Sequence, residues 1–239
     1  MPNIISLGEA VIDFVPTESG VSLADVPGFY RRFGGAPANV AIGLAKLDSS
    51  AGFIGKVGQD SFGDFLETSF DSSGVDTTCL YRTDRANTTL AFVSLTEEGD
   101  REFIFYRDPG ADELLKESEI SEDYVRKAEV LHFGSITLTK KESREATFRA
   151  LSYARKHDLM VSLDPNIRLN LWKDPTRAKE LVQYLMKDVD ILKLSLEEVK
   201  FLTGVDELEA GVDELFKFGP DLIIATLGSE GCLYKTVSD

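Results

Sequence analysis

The sequence predicts an α/β protein, built as a doubly wound, mostly parallel sheet with helices on both faces and a small second β-sheet standing off it. Three observations lead there. From Val130 onward, short apolar runs alternate with amphipathic stretches, which is the pattern of βαβ units in a covered parallel sheet. The chain opens with the same strand-then-helix order. Two β-rich runs separated by Glu97-Glu98-Gly99-Asp100 then interrupt the alternation, and that punctuation reads as a hairpin.

Taken in order, residues 4–7 (Ile-Ile-Ser-Leu) form the first predicted strand. The stretch from Phe14 to Phe33 is extended in character, broken by Pro16, Gly20, Pro27 and Gly28. An apolar helix is predicted from Ala38 to Leu47. Residues 88–96 and 101–107 make the hairpin and, with residues 14–33, the small sheet. Such a sheet serves as a lid or as an oligomer interface, because exposed strand edges need cover. Buried strands follow at Val130-Leu131-His132-Phe133, Met160-Val161-Ser162-Leu163, Ile191-Leu192-Lys193-Leu194 and Leu222-Ile223-Ile224-Ala225. Between the first two, Ala146, Ala150, Leu151 and Ala154 share one helical face. The next helix runs from Pro175, suited to a first turn, to Met186. Another carries Leu208, Val212, Leu215 and Phe216.

Composition narrows the function. Across 239 residues, 26 Lys and Arg stand against 41 Asp and Glu, a net charge of −15. That field repels phosphate backbones and argues against nucleic acid as a partner. It leaves room for a nucleotide held by backbone N–H groups, a cation and one or two arginines. No run of about 18 apolar residues marks a membrane span. Glu9 and Asp13 stand where a signal peptide needs a basic end and an apolar core, so a cytoplasmic address is expected. Cys79 and Cys232 have no metal-ligand spacing and are expected to be buried thiols. His132, in an apolar strand, and His157, at a helix end, are expected to be structural. Phosphate-binding P-loop, dinucleotide and serine-hydrolase motifs are all absent.

Polar residues gather at predicted strand ends, where parallel α/β sheets bind ligands. Asp13 follows the first strand and can accept from two neighbouring hydroxyls; a solvated loop acid is the plainer reading. Gly34-Gly35-Ala36-Pro37-Ala38-Asn39 precedes a helix whose free N–H groups and positive end could meet a ligand, and Asn39 offers a donor and an acceptor. A plain loop and cap is the alternative. Asp164-Pro165-Asn166-Ile167-Arg168 puts Arg168 where it could hold a transferring phosphoryl group, and Arg107 at the hairpin's end could reach the same cleft. Each could equally form a surface ion pair. Lys193-Leu194-Ser195-Leu196-Glu197-Glu198 and Thr226-Leu227-Gly228-Ser229-Glu230-Gly231 close two further strands, the second as a possible phosphate nest.

These residues resemble those of the PfkB-type, or ribokinase-like, carbohydrate kinases. Gly34 to Ala41 is similar to that family's first signature. Leu7-Gly8-Glu9-Ala10-Val11-Ile12-Asp13-Phe14, Phe53-Ile54-Gly55-Lys56-Val57-Gly58-Gln59-Asp60, Phe105-Tyr106-Arg107-Asp108-Pro109-Gly110-Ala111-Asp112, Asp164 to Arg168, Leu202-Thr203-Gly204 and Thr226 to Gly231 resemble further segments in the same order. The forms G-G-A-P-A-N and F-Y-R-D-P-G-A-D are most similar to fructokinases. The resemblance implies a ribokinase-like fold with a β-sheet lid, a homodimer through that lid, and transfer of the γ-phosphoryl of ATP, with Mg²⁺, to the 6-hydroxyl of fructose. It implies sugar contacts at Asp13, Gly34, Gly35, Asn39, Arg107 and Arg168, with Arg168 also catalytic through charge stabilisation. The nucleotide side falls to Lys193, Ser195, Glu198, Thr226, Gly228 and Gly231, and Glu198 is associated with Mg²⁺ through water. Alternative readings are a kinase for 2-keto-3-deoxygluconate or another sugar, with Arg107 and Arg168 on a carboxylate, and a non-catalytic sugar-binding pseudokinase.

Two departures from the family pattern stand out. Ser195 replaces a common asparagine, keeping a hydroxyl but losing an amide. The Gly-Ala-Gly-Asp-type motif, which in the family supplies the general base and an anion hole, is absent from the sequence, which ends at Asp239. Residues 1–239 are therefore expected to be one α/β domain incomplete at its C-terminus, with negligible kinase activity alone. Robust fructose-dependent ADP release from these residues would contradict that expectation.

Overall fold

The computed structural model describes residues 2–95 and 101–238. Its first half runs β1 (Ile4–Leu7), β2 (Val11–Pro16), β3 (Phe29–Gly34), α1 (Ala36–Lys46), β4 (Ala51–Gly58), α2 (Ser61–Ser72), β5 (Asp76–Thr83), β6 (Leu90–Leu95) and β7 (Arg101–Tyr106). The second runs α3 (Glu122–Val125), β8 (Val130–Phe133), α4 (Lys141–Lys156), β9 (Met160–Leu163), α5 (Pro175–Met186), β10 (Ile191–Ser195), α6 (Leu196–Thr203), α7 (Leu208–Phe216), β11 (Leu222–Thr226) and β12 (Cys232–Thr236).

The larger sheet has eight strands in the order β12-β11-β10-β9-β8-β1-β4-β5. All neighbours pair parallel except β11 and β12. The chain starts in the middle, at β1, builds outward through β4 and β5, then returns to β1's other side with β8 and continues outward. Strand order therefore reverses at β1, and a crevice opens beyond its carboxyl end. The smaller sheet, β3-β2-β6-β7, combines antiparallel outer pairs with a parallel β2–β6 pair.

Two apolar cores hold this arrangement. Ile5, Leu7 and Phe133 pack with the alanine face of α4 and with Val182, Leu202 and Leu215 from α5, α6 and α7. On the β4 side, Ala38 and Ala41 of α1 join Phe53, Leu66 and Phe70, with the Phe53 and Phe70 rings stacked 4.6 Å apart. All eight residues of β4 are buried, as expected for a strand covered on both faces.

The predicted strands β8, β9, β10 and β11 and the helix Pro175–Met186 are present. Three predictions need correction. The first helix starts at Ala36 rather than Ala38, with Pro37 accommodated in its first turn. The small sheet begins at Val11, where pairing to Gly34 continues to Pro16–Phe29; its first residues follow β1 so closely that they read as the same run. Cys79 is buried, but Cys232 is exposed, because β12 is an edge strand. The residues between the hairpin strands, 96–100, lie outside the described residues. His132 is buried with Nδ1 3.0 Å from Ser162 Oγ, and His157 Nε2 lies 2.8 Å from Glu122 Oε1. Among the described residues, no helix is long and apolar enough to cross a membrane.

Candidate functional site

A cavity of about 110 Å³ lies beyond the end of β1, between the body and the small sheet. A single ordered water needs roughly 10–15 Å³, so the space suits one small, polar molecule. Glu9, Asp13, Asn39, Asn166 and Arg168 supply its polar wall. Val11, Phe103, Phe105 and Ile136 supply its apolar wall, and Gly35 and Ala36 expose main chain to it.

Local sequence explains each position. Asp13 lies on β2 opposite Arg32 of β3. A Cβ on Gly34 would lie 2.4 Å from the Asp13 Cγ, so only glycine lets the β3 backbone pass this carboxylate. Gly35 precedes α1 with φ 102°, and a Cβ there would meet the Glu9 carbonyl at 2.3 Å. Both geometry and space therefore demand glycine. The turn fixes the start of α1, and Asn39 follows in its first turn, its N–H donating to Gly35 O at 2.8 Å. Phe103 and Phe105 share a face of β7 by strand alternation, their rings 6.0 Å apart. The Arg168 guanidinium lies 5.2 Å from the centre of the Phe103 ring. Asn170 Nδ2 donates to Phe103 O at 3.0 Å. These two contacts fasten the small sheet to the loop after β9.

Glu9 is 2% exposed. Its Oε1 accepts from the Ala36 N–H at 3.0 Å. Burial pushes its carboxyl up to about 7, with backbone hydrogen bonds opposing the rise, Asp112 adding to it and Arg107 reducing it.

Arg107 does not line the cavity. It is buried, with Nε and Nη2 donating to Asp112 Oδ2 at 2.8 and 2.6 Å, Nη1 donating to Thr139 at 3.1 Å, and Glu113 at 3.4 Å. Burial works against its charge, but Asp112 and Glu113 outweigh it and hold the guanidinium above its ordinary value. A desolvated guanidinium takes the nearest buried carboxylates, and these come from the turn just after it.

The remaining candidates sit at the ends of β10 and β11. Lys193 Nζ pairs with Asp164 Oδ2 at 2.8 Å. Ser195 and Glu198 form a reciprocal cap at the start of α6. Glu198 Oε2 accepts from Ser195 N–H at 2.8 Å and Oε1 from Ile167 N–H at 2.6 Å. Burial raises the Glu198 carboxyl despite those two bonds. This glutamate thus ties the loop carrying Asn166 and Arg168 to the end of β10. Thr226 Oγ1 donates to Leu194 O at 3.3 Å. Gly228 and Gly231 adopt φ 60° and 98° with open space where a Cβ would go. The structure thus brings Asp13, Gly34, Gly35, Asn39 and Arg168 together. It places Lys193, Ser195, Glu198, Thr226, Gly228 and Gly231 along the neighbouring strand ends.

Sequence reasoning assigned no site role to Glu9, Asn166, Phe103, Phe105 or Ile136. The β7 alternation, with Ile104 between the two phenylalanines, was the available signal for two of them. Among the described residues, no group of three or more His, Cys, Asp or Glu could hold a metal ion.

A doubly wound sheet with a ligand-sized cavity at its switch point and a β-sheet roof is an α/β architecture that places a candidate small-molecule site there. The chain belongs to the pfkB family of carbohydrate kinases, which it matches over residues 1–239. It is 45% identical over 237 residues to "Probable fructokinase-6, chloroplastic" of Arabidopsis thaliana, covering 98% of this chain and 62% of that protein. It therefore spans less than two thirds of that relative's length. It is 42% identical to "Fructokinase-2" of Solanum lycopersicum, covering 98% of this chain and 71% of the relative. The fructokinase structure from Halothermothrix orenii superposes with a TM-score of 0.91 at 29% identity, covering 99% of this chain and 84% of that one. A Vibrio cholerae fructokinase double mutant in fructose, ADP and potassium ion bound form superposes with a TM-score of 0.90 at 34% identity, covering 100% of this chain and 74% of that one.

Proposed function

We propose that these residues serve an ATP-dependent fructokinase reaction, transfer of the γ-phosphoryl group to the 6-hydroxyl of fructose, with the family's general base not among residues 1–239. The observation that carries this reading is the convergence of Asp13, Asn39 and Arg168 on one cavity lined also by Phe103 and Phe105. Asp13 accepts hydrogen bonds from vicinal hydroxyls, and Asn39 both donates and accepts. The two phenylalanines cover the sugar and exclude water. Arg168 stabilises charge on the transferring phosphoryl group. Lys193, Ser195, Thr226, Gly228 and Gly231 bind ATP, and its phosphates then compete with Asp164 for Lys193.

Mg²⁺ fits this site only as a partner of the ATP phosphates. Both Glu198 oxygens already accept backbone N–H groups, which suits contact through water and not direct ligation. When bound, the ion would neutralise charge on the phosphate oxygens. We read residues 1–239 as one α/β domain with β2, β3, β6 and β7 as its lid. A homodimer through the lid would cover Ile104 and Tyr106, which are exposed on the outer face of β7. A cytoplasmic location fits a consumer of free sugar and ATP. A 2-keto-3-deoxygluconate reading needs two cleft arginines, and the engagement of Arg107 with Asp112 weighs against it.

The test is a sugar panel with and without ATP, with Asp13→Ala as the control. Fructose is expected to bind in preference to other hexoses, and Asp13→Ala to weaken that binding at least tenfold. Unchanged fructose affinity in Asp13→Ala would show that this carboxylate is not a sugar ligand.

A further inference from the structure

Asn166 and Arg168 reach the cavity from the loop after β9, outside either sheet. The loop therefore needs other anchors. At its start, the Asp164 N–H donates to Phe133 O at 3.2 Å, and Pro165 O accepts the Ser135 N–H at 3.0 Å. One residue beyond Asn166, the Ile167 N–H donates to Glu198 Oε1 at 2.6 Å. Between these anchors Asn166 adopts φ 42°, a left-handed conformation that a residue bearing a side chain keeps only where its surroundings enforce it. The Ile167 side chain packs against the larger apolar core, which holds the loop near the body. The hydrogen bond to Glu198 fixes the peptide that follows Asn166, and with it the course of the chain into Arg168.

Glu198 is itself firmly held. It sits in the first turn of α6, where its N–H donates to Ser195 Oγ at 3.3 Å and its Oε2 accepts the Ser195 N–H at 2.8 Å. One carboxylate thus bridges the end of β10 to the cavity loop, and each oxygen serves one N–H. A carboxamide of the same shape cannot do both, because it has one accepting oxygen and would set an NH₂ group against the second N–H. We propose that Glu198 is a positioning residue for the sugar: it holds the loop from Asn166 to Arg168 in its binding conformation, so that fructose affinity depends on it with no nucleotide or metal ion present. This rests on the fructose-binding reading above, and gives Glu198 a role on the sugar side in addition to its contact with Mg²⁺ through water. A role confined to phosphate and Mg²⁺ predicts no such dependence.

The experiment measures fructose dissociation constants by calorimetry, in EDTA and without nucleotide, for the wild type, Glu198→Gln, Glu198→Asp and Gln183→Ala, with melting temperatures and hydrogen exchange alongside. Glu198→Gln loses one of the two bonds and is expected to weaken fructose binding about fivefold or more, while exchange quickens in residues 164–168. Glu198→Asp keeps the charge at the helix start but is one methylene short of Ile167, and is expected to show the same loss. Should Glu198→Gln not fold, Glu198→Asp carries the comparison. Gln183 Nε2 donates to Leu202 O at 2.8 Å, joining α5 to the far end of α6. Gln183→Ala is therefore expected to lower the melting temperature and leave fructose affinity unchanged. Fructose affinity within about twofold of wild type in either folded Glu198 variant overturns the inference. So does an equal loss in Gln183→Ala, which would assign the effect to general instability. A wild type that binds no fructose overturns the functional reading itself, and this inference with it. Binding that survives Asp13→Ala but falls in both Glu198 variants removes Asp13 from the sugar site and supports the positioning role.

Discussion

Individual residues show the cost of building this cavity. Gly34→Ala places a methyl group 2.4 Å from the Asp13 Cγ, so the carboxylate must move. Fructose affinity is expected to fall at least tenfold with little loss of secondary structure, read by calorimetry and circular dichroism. Gly35→Ala adds backbone strain to a clash with Glu9 and is expected to destabilise the fold by roughly 1–3 kcal/mol or more, read by denaturant unfolding. Glu9 also links stability to pH. Its native pKa, at about 7, stands above its ordinary value of 4.5, so between these values the native state binds more protons than the unfolded chain. Stability from this group is therefore fully present below about 4.5 and is lost as pH rises through about 7. The full loss is on the order of 3 kcal/mol. Glu9→Gln should match the wild type in melting temperature near pH 4.5 and exceed it increasingly toward pH 8. A constant difference across that range would contradict the assignment. Glu198 is raised by burial too, and contributes a dependence of the same sign.

Elements make contacts that single positions do not reveal. Strand β7 carries the phenylalanine roof on one face and exposed Ile104 on the other. The turn after it carries the acids that hold Arg107. Arg107→Ala would leave Asp112 buried without its cation, a change expected to cost about 3–5 kcal/mol. Denaturant unfolding should therefore show a large loss of stability. A variant as stable as the wild type, but with weakened fructose binding, would return Arg107 to the cleft. The same elements show what the sequence revealed. Strand β7 and the hairpin could be read from its β-rich runs, and Phe103 and Phe105 were present in plain alternation. Nothing in that alternation says that the facing surface is a ligand cavity, because an ordinary sheet core looks the same. The partners of Arg107 were not legible, because a motif gives a position along the chain, and the competing carboxylates act through space.

At the scale of the whole molecule, the acidic excess and the cavity are compatible because local geometry dominates at the site. Arg168, Asn39 and the glycine-led start of α1 line the cavity, while the −15 charge is spread over the whole chain. The outer lid face offers Ile104 and Tyr106 to solvent, with Tyr106 65% exposed. If this face is the dimer interface, Tyr106→Glu should shift the protein toward monomer in sedimentation velocity. A monomeric wild type would dispose of the lid-mediated dimer.

By itself, the sequence determined the alternating strands and helices, the presence of a hairpin-bearing second sheet, and the polar strand ends where chemistry collects. Periodicity and turn residues act over a few neighbours, so those features are written locally. Only the tertiary structure decided which polar groups meet. Strand order reverses at β1, bringing Glu9, Asp13 and Asn39 from the first segment against Asn166 and Arg168 from another. The fold also turned Arg107 inward, buried Glu9 and put Cys232 on an edge. Those outcomes depend on burial and on distances between remote residues, because the dielectric surroundings that set a charge's partner exist only once the chain has closed around it.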